Sequence, residues 1–173
     1  MPNLYIITGP AGSGKSTISK KLAESLDKSV LIEGDDVYHH VIGGYVSPWK
    51  DGNHLSTFWN VCIKMIETYL SDGFDVVFNY IVDLEDLDIL QNAFRNYNIK
   101  FVVLLASENI LLERDSQRPL DCQMKERCIT LLNSFKNTNY NPNNILDISY
   151  LSIDETFDII KNNNRFLLNK NTL

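Results

Sequence analysis

Basic charge is what this chain is short of. Its 173 residues carry 16 Lys plus Arg against 22 Asp plus Glu, a formal net charge of −6, and no arginine occurs before Arg95. A surface of that sign opposes the counterion displacement that nucleic acid or anionic lipid requires, so neither nucleic acid nor a membrane is an expected partner. Cysteine is equally scarce. Cys62, Cys122 and Cys128 are an odd set without a Cys-x-x-Cys pair, which gives neither a disulfide framework nor a zinc site and fits a reducing cytosol. No apolar run approaches the length of a bilayer span, and the opening MPNLYIITGP has neither a basic n-region nor a signal-length apolar core, so a cytoplasmic location is expected. Internal repeats and linkers rich in Gly, Pro or Ser are absent too. With 44% hydrophobic and 22% charged residues, one domain over residues 1–173 with an ordinary core is expected.

What is present alternates. Leu4 to Thr8 is an apolar run cut off by Gly9-Pro10, the pattern of a strand buried on both faces. Ser16 to Asp27 follows with helical spacing at Ile18, Leu22, Ala23 and Leu26. Further strands are predicted at Ser29–Ile32, Phe74–Phe78, Ile99–Leu105 and Ile145–Ile148. Helices are predicted at His54–Ser71, Leu84–Tyr97, Ile110–Gln117, Gln123–Phe135 and Thr156–Lys161. Residues 43–53 and 137–144 read as irregular, and the Asn-rich tail from Asn162 to Asn171 as frayed. Strands separated by helices of this length need crossovers, so the expected class is α/β: a mostly parallel sheet with helices on both faces.

Between the first strand and the first helix stands Gly9-Pro10-Ala11-Gly12-Ser13-Gly14-Lys15-Ser16, followed by Thr17, which satisfies the P-loop pattern Gly-x-x-x-x-Gly-Lys-Ser. The chemistry explains the spacing. Glycines let successive amides converge on phosphate oxygens, the helix N-terminus adds positive partial charge, Lys15 supplies a full charge at the β and γ phosphates, and Ser16 can place its hydroxyl on Mg²⁺. Residues 9–17 are therefore the expected nucleotide-binding segment. ATP is expected over GTP, because no Asn-Lys-x-Asp string that reads guanine is present.

Three segments together, GPAGSGKST, then EGDDVYH after the second strand, then LLERDSQR after the fourth, make the chain resemble the small P-loop kinase superfamily over most of its length. Nucleotide kinases, shikimate and gluconate kinases, adenylylsulfate kinase and chloramphenicol phosphotransferase share its plan, and within it the chain is most similar to gluconate kinase-like proteins. The resemblance implies a three-layer P-loop NTPase fold with five parallel strands ordered 2-3-1-4-5. It also implies an acceptor-binding region at about residues 35–72 and a short lid at about 108–128.

Phosphoryl transfer asks a protein mainly to align donor and acceptor and to neutralise the moving charge. Glu33-Gly34-Asp35 is similar to the Asp-Gly-Asp of gluconate and adenylylsulfate kinases, and the resemblance implies Asp35 as base or Mg²⁺-water ligand, with Asp36 in reserve. Capping of the next helix is the plainer reading of either carboxylate. Arg114 and Arg118 are four residues apart, share a helical face and could reach one phosphate together. They are similar to lid arginines. Arg127 is a weaker candidate, better suited to the surface. Where many P-loop proteins end the third strand with an Asp, this chain has Phe78-Asn79-Tyr80, which puts more of the metal and base work on Asp35 and leaves Asn79 to bind water or substrate.

The acceptor region lacks arginine altogether, and between Glu33 and Arg95 its only lysines are Lys50 and Lys64. That scarcity argues against a nucleotide or carboxylate acceptor, which a guanidinium fork would normally meet. Aromatics are there instead. Tyr38, Tyr45 and Trp49 are the expected substrate contacts with Asp35 and Asp36, while Phe58 and Trp59 read as core and His39-His40 as surface. The resulting expectation is an ATP- and Mg²⁺-dependent kinase acting on a hydroxyl of a sugar-like, nucleoside or antibiotic-like small molecule. The alternatives are a nucleoside monophosphate kinase and an ATP-binding switch without an acceptor.

Overall fold

A computed structural model describes residues 1–120 and 123–168. Five strands, β1 (Asn3–Thr8), β2 (Ser29–Glu33), β3 (Asp75–Asn79), β4 (Asn98–Leu105) and β5 (Ile145–Asp147), form one sheet in the order β2-β3-β1-β4-β5. Every pairing is parallel, the arrangement that the strand–helix alternation requires. Seven helices surround it: α1 (Lys15–Glu24), α2 (Gly34–Tyr38), α3 (Leu55–Ser71), α4 (Leu84–Ala93), α5 (Glu108–Ser116), α6 (Glu126–Asn137) and α7 (Ile153–Asn162). This is the P-loop NTPase fold.

The two-residue period of a strand divides the core. Leu4, Ile6, Val76, Phe78, Phe101 and Val103 point to one face, where α3 adds Phe58, Cys62, Ile66 and Leu70. Tyr5, Ile7, Val77, Val102 and Leu104 point to the other, against Ile18 and Leu22 of α1 and Ile160 of α7. Being covered on both sides, the central strands read as continuous apolar runs.

Several elements depart from expectation for local reasons. Helix α1 ends at Glu24, where the Ser25 hydroxyl and amide both turn back onto the Leu22 carbonyl. Helix α4 stops at Ala93, although the apolar pattern continues into the buried Phe94. Helix α6 starts at Glu126 because Gln123 to Lys125 are held by the lid. Helix α7 begins earlier than expected through a capping box between Ser152 and Glu155. The tail is not frayed up to Leu168: Phe166 is buried, and Leu167 bridges to Lys100 on β4. Its last residues, and Asp121 and Cys122 of the expected lid, lie outside the described residues.

Candidate active site

The P-loop, Glu33 and Asn79 meet at the carboxyl ends of β1, β2 and β3. Strand β1 runs directly into the P-loop, and Gly9 has φ +148° with its α-carbon so close to β4 that a Cβ would lie 2.3 Å from the Leu104 carbonyl oxygen. Only glycine makes that turn. The Lys15 ammonium curls back to donate to the Gly9 and Pro10 carbonyls at 2.8 and 3.1 Å. Burial pulls its pKa down to about 8, against the opposing pull of the Asp35 and Glu33 charges and with a further lowering from Arg118.

The residue that sequence reasoning missed is Glu33. It ends β2 in register with Asn79 of β3, which is itself in register with Ile7 of β1. Asn79 donates its side-chain amide to Ser16 Oγ at 3.0 Å and to the Glu33 carboxylate. A carboxylate, an amide and the P-loop serine thus form one hydrogen-bonded chain. Burial raises the Glu33 pKa, countered by the Asn79 bond and reinforced by the charges of Asp36 and Asp35. The available signal was a charged residue closing an otherwise apolar strand one step before the Gly34-Asp35 pair.

Asp35 and Asp36 open α2, a five-residue helix not expected from the sequence. Gly34 permits its start, since a Cβ there would lie 2.5 Å from the Tyr80 ring. Both carboxylates are exposed; the charges of both raise the Glu33 pKa, and that of Asp35 also opposes the lowering at Lys15. It is Glu33, not Asp35, that the hydrogen bonds tie to Ser16.

The expected substrate aromatics separate into two kinds. Tyr38 is 1% exposed, its ring stacks on His54 with centroids 4.1 Å apart, and its hydroxyl donates to the Val46 carbonyl at 2.8 Å. It anchors the loop between α2 and α3 from beneath, with its hydroxyl already engaged. Tyr45, 39% exposed, stacks on His39 and contacts its Nε2 at 3.3 Å. Trp49 is 58% exposed and carries the Arg127 guanidinium over its ring at 3.4 Å.

Arg114 lies within α5, while Arg118 follows the end of that helix, so the two are not on one continuous helical face. Both nevertheless line the cleft of about 380 Å³ beside Gly12, Ser13, Gly14 and Thr17. Its far wall is Ile148, Leu151, Ile153 and Thr156, which puts the β5–α7 connection next to the P-loop. The loop before β5 packs elsewhere: Tyr140 donates to the Val82 carbonyl and Asn144 to the Phe101 carbonyl. Between the two arginines, Asp115 is 2% exposed and accepts from the amides of Met124 and Lys125 at 2.8–3.1 Å. Burial pushes its carboxyl up, but those amides, the Cys128 thiol and Arg118 outweigh it and hold the pKa below the usual carboxylate range.

The site suits a nucleotide phosphate with a hard cation. Ser13 Oγ and Asn79 Oδ1 are buried without a protein partner, and phosphate oxygens or cation-bound water satisfy such atoms. Among the described residues no group of three or more His, Cys, Asp or Glu could hold a metal. A cation here would take Ser16, one carboxylate, phosphate oxygens and water, which is the habit of Mg²⁺. Among those residues, too, no helix is long and apolar enough to cross a membrane.

The fold is shared with solved structures of low sequence identity. A sugar kinase from Janibacter sp. HTCC2649 matches with a TM-score of 0.71 and 15% identity over 91% of both chains. A gluconokinase from Sinorhizobium meliloti 1021 matches at 0.67 and 19%, over 92% of this chain and 89% of that one. The tunicamycin resistance protein of Deinococcus radiodurans matches at 0.65 and 18%, over 92% and 94%. No curated protein is similar enough in sequence to match. The model of the family described as "AAA domain" covers residues 4–130, from β1 through the P-loop, Glu33 and Asp35 into α6, and the chain belongs to that P-loop family.

Proposed function

We propose that this protein is a small-molecule kinase that transfers the γ-phosphoryl group of ATP to an alcohol hydroxyl of a sugar-like, nucleoside or antibiotic-like acceptor. The observation that carries the reading is the P-loop with its Lys15 folded onto the Gly9 and Pro10 carbonyls and its Ser16 joined through Asn79 to Glu33, two residues before the exposed Asp35. An exposed carboxylate just beyond β2 suits a kinase, because the acceptor hydroxyl must lose a proton as it attacks.

In this reading residues 9–17 hold the triphosphate, and Arg114 and Arg118 neutralise charge on the transferred group. Mg²⁺ held at Ser16 and Glu33 would supply electrostatic stabilisation of the phosphates. The acceptor oxygen attacks the γ-phosphorus as its proton passes to the Asp35 carboxylate. The bond from the γ-phosphorus to the bridging oxygen breaks, and ADP leaves.

Coupled ADP release measured across polyols, sugar acids, nucleosides, mononucleotides and aminoglycoside- or amphenicol-type antibiotics tests this. Release stimulated at least tenfold by one class supports the kinase. Slow hydrolysis indifferent to every acceptor overturns it in favour of a nucleotide-binding switch.

A further inference from the structure

The absence of arginine before residue 95 leaves the acceptor region without a guanidinium in sequence, but not in space. Arg127, in the first turn of α6, lies flat on Trp49 with its central carbon 3.4 Å from the ring centroid. Trp49 belongs to the loop joining α2 to α3, and its turn is fixed by the Lys50 amide donating to the Ser47 carbonyl at 3.0 Å and by the Asn53 side chain donating to the Lys50 carbonyl at 2.8 Å. The indole is thus a fixed platform.

Arg127 is half-buried, and among the described residues neither a carboxylate nor a carbonyl receives any of its side-chain N–H groups. Its Nε is shut off from solvent with no partner among the described residues. Withdrawing a charged donor from water without a partner is costly, and a ligand that supplies the acceptor atoms recovers that cost. Arg114 and Arg118 are differently employed. Both line the cleft along the P-loop, whereas Arg127 lies on Trp49 of the loop between α2 and α3. The P-loop cleft therefore has its own cations, and Arg127 stands with the loop expected to meet the acceptor.

We propose that Arg127, held flat against Trp49, receives a negatively charged group of the acceptor, a carboxylate or phosphate monoester, and so sets the substrate class of the enzyme. This rests on the kinase reading and narrows it. Stacking leaves the guanidinium edge for a planar fork, which a carboxylate fills with two parallel hydrogen bonds. The exposed Tyr45 and His39 would then face the uncharged part of the molecule.

The test uses matched pairs that differ only in charge: D-gluconate against D-glucitol for a carboxylate, and AMP against adenosine for a phosphate. Tryptophan emission is titrated with each in the presence of Mg²⁺ and a non-hydrolysable ATP analogue, alongside ADP release with ATP. The proposal expects an emission change from the anionic member of at least one pair, abolished in Arg127→Gln and in Trp49→Phe. It also expects a preference of about 10- to 100-fold in kcat/KM for that member, lost in Arg127→Gln through a rise in KM for the anion. Arg127→Lys, which keeps charge without the fork, should restore only part of it. Equal responses to charged and neutral members, no emission response to any probe, or an anion preference intact in Arg127→Gln would overturn it. So would an equal loss toward both members of a pair, the mark of a stack that only latches α6 to the loop. If glucitol or adenosine drives ADP release equally in wild type and variant, the kinase stands and this inference falls. If no acceptor drives release while anions still change the emission, the kinase reading falls and an anion site at Arg127 remains.

Discussion

Asn79 donates its side-chain amide to Ser16 Oγ at 3.0 Å, and the same nitrogen reaches the Glu33 carboxylate. An Asp at this strand end would put a second negative charge against Glu33. Asn79→Asp should therefore lower the thermal midpoint by several degrees in the absence of Mg²⁺, corresponding to about 1–3 kcal/mol, and millimolar MgCl₂ should return most of it. Differential scanning fluorimetry with and without the cation measures this. A variant whose midpoint ignores Mg²⁺ would place the cation away from Ser16 and Glu33. Glu33→Gln should in turn weaken the response of activity to Mg²⁺.

Asp35→Asn should bind ATP as wild type does and lose roughly 100-fold or more in acceptor-dependent turnover, the scale of a general base. Lys15→Ala should lose nucleotide binding itself. Calorimetry separates the two, and normal turnover in Asp35→Asn would remove its role as base.

The Lys15 pKa, drawn down to about 8 by burial, makes nucleotide binding proton-linked. Below pH 7 the ammonium is formed in free and bound protein alike. Between pH 8 and 9.5 the free protein has lost the proton, and the incoming triphosphate restores it, so binding takes up a proton and affinity falls with rising pH, approaching tenfold per unit. Titrations in buffers of different ionisation enthalpy should show uptake near one proton at pH 9 and close to none at pH 6.5. No difference between the two would mean that Lys15 keeps its proton throughout.

Lys125 is the one non-glycine residue with positive φ among those described, at φ 48° and ψ −124°. Its amide is held by Asp115. Lys125→Gly should relieve this strain and raise stability by about 1 kcal/mol. Asp115→Ala should release the segment from Ser116 to Lys125, seen as faster tryptic cleavage after Arg118. Unchanged cleavage would show that Asp115 does not restrain it.

The sheet was legible in the sequence because its strands are buried on both faces and separated by glycine and proline, so apolar runs such as Leu4 to Thr8 could not be mistaken. The P-loop was legible because its chemistry fixes both spacing and context. Glu33 escaped because it ends a strand, and only the register of β2 on β3 brings it to Asn79 and Ser16. The burial of Tyr38 is not legible, because one chain position cannot tell a ring beneath a loop from a ring upon it. The stack of Arg127 on Trp49 is not legible either, because the two lie 78 positions apart and no local pattern joins them. In each case strand and turn signals acted over a few residues, whereas the site depends on distant side chains meeting.

The loop between α2 and α3 is held at Tyr38, through the bond to the Val46 carbonyl and the stack on His54, at Tyr45 on His39, and at Trp49 under the Arg127 guanidinium. None of these tethers involves a strand or residues 9–17. In the proposed kinase the segment from Tyr45 to Asn53 is thus a cassette: exchanging it between relatives, with its anchors kept, should change the acceptor taken and leave the binding of ATP unaltered.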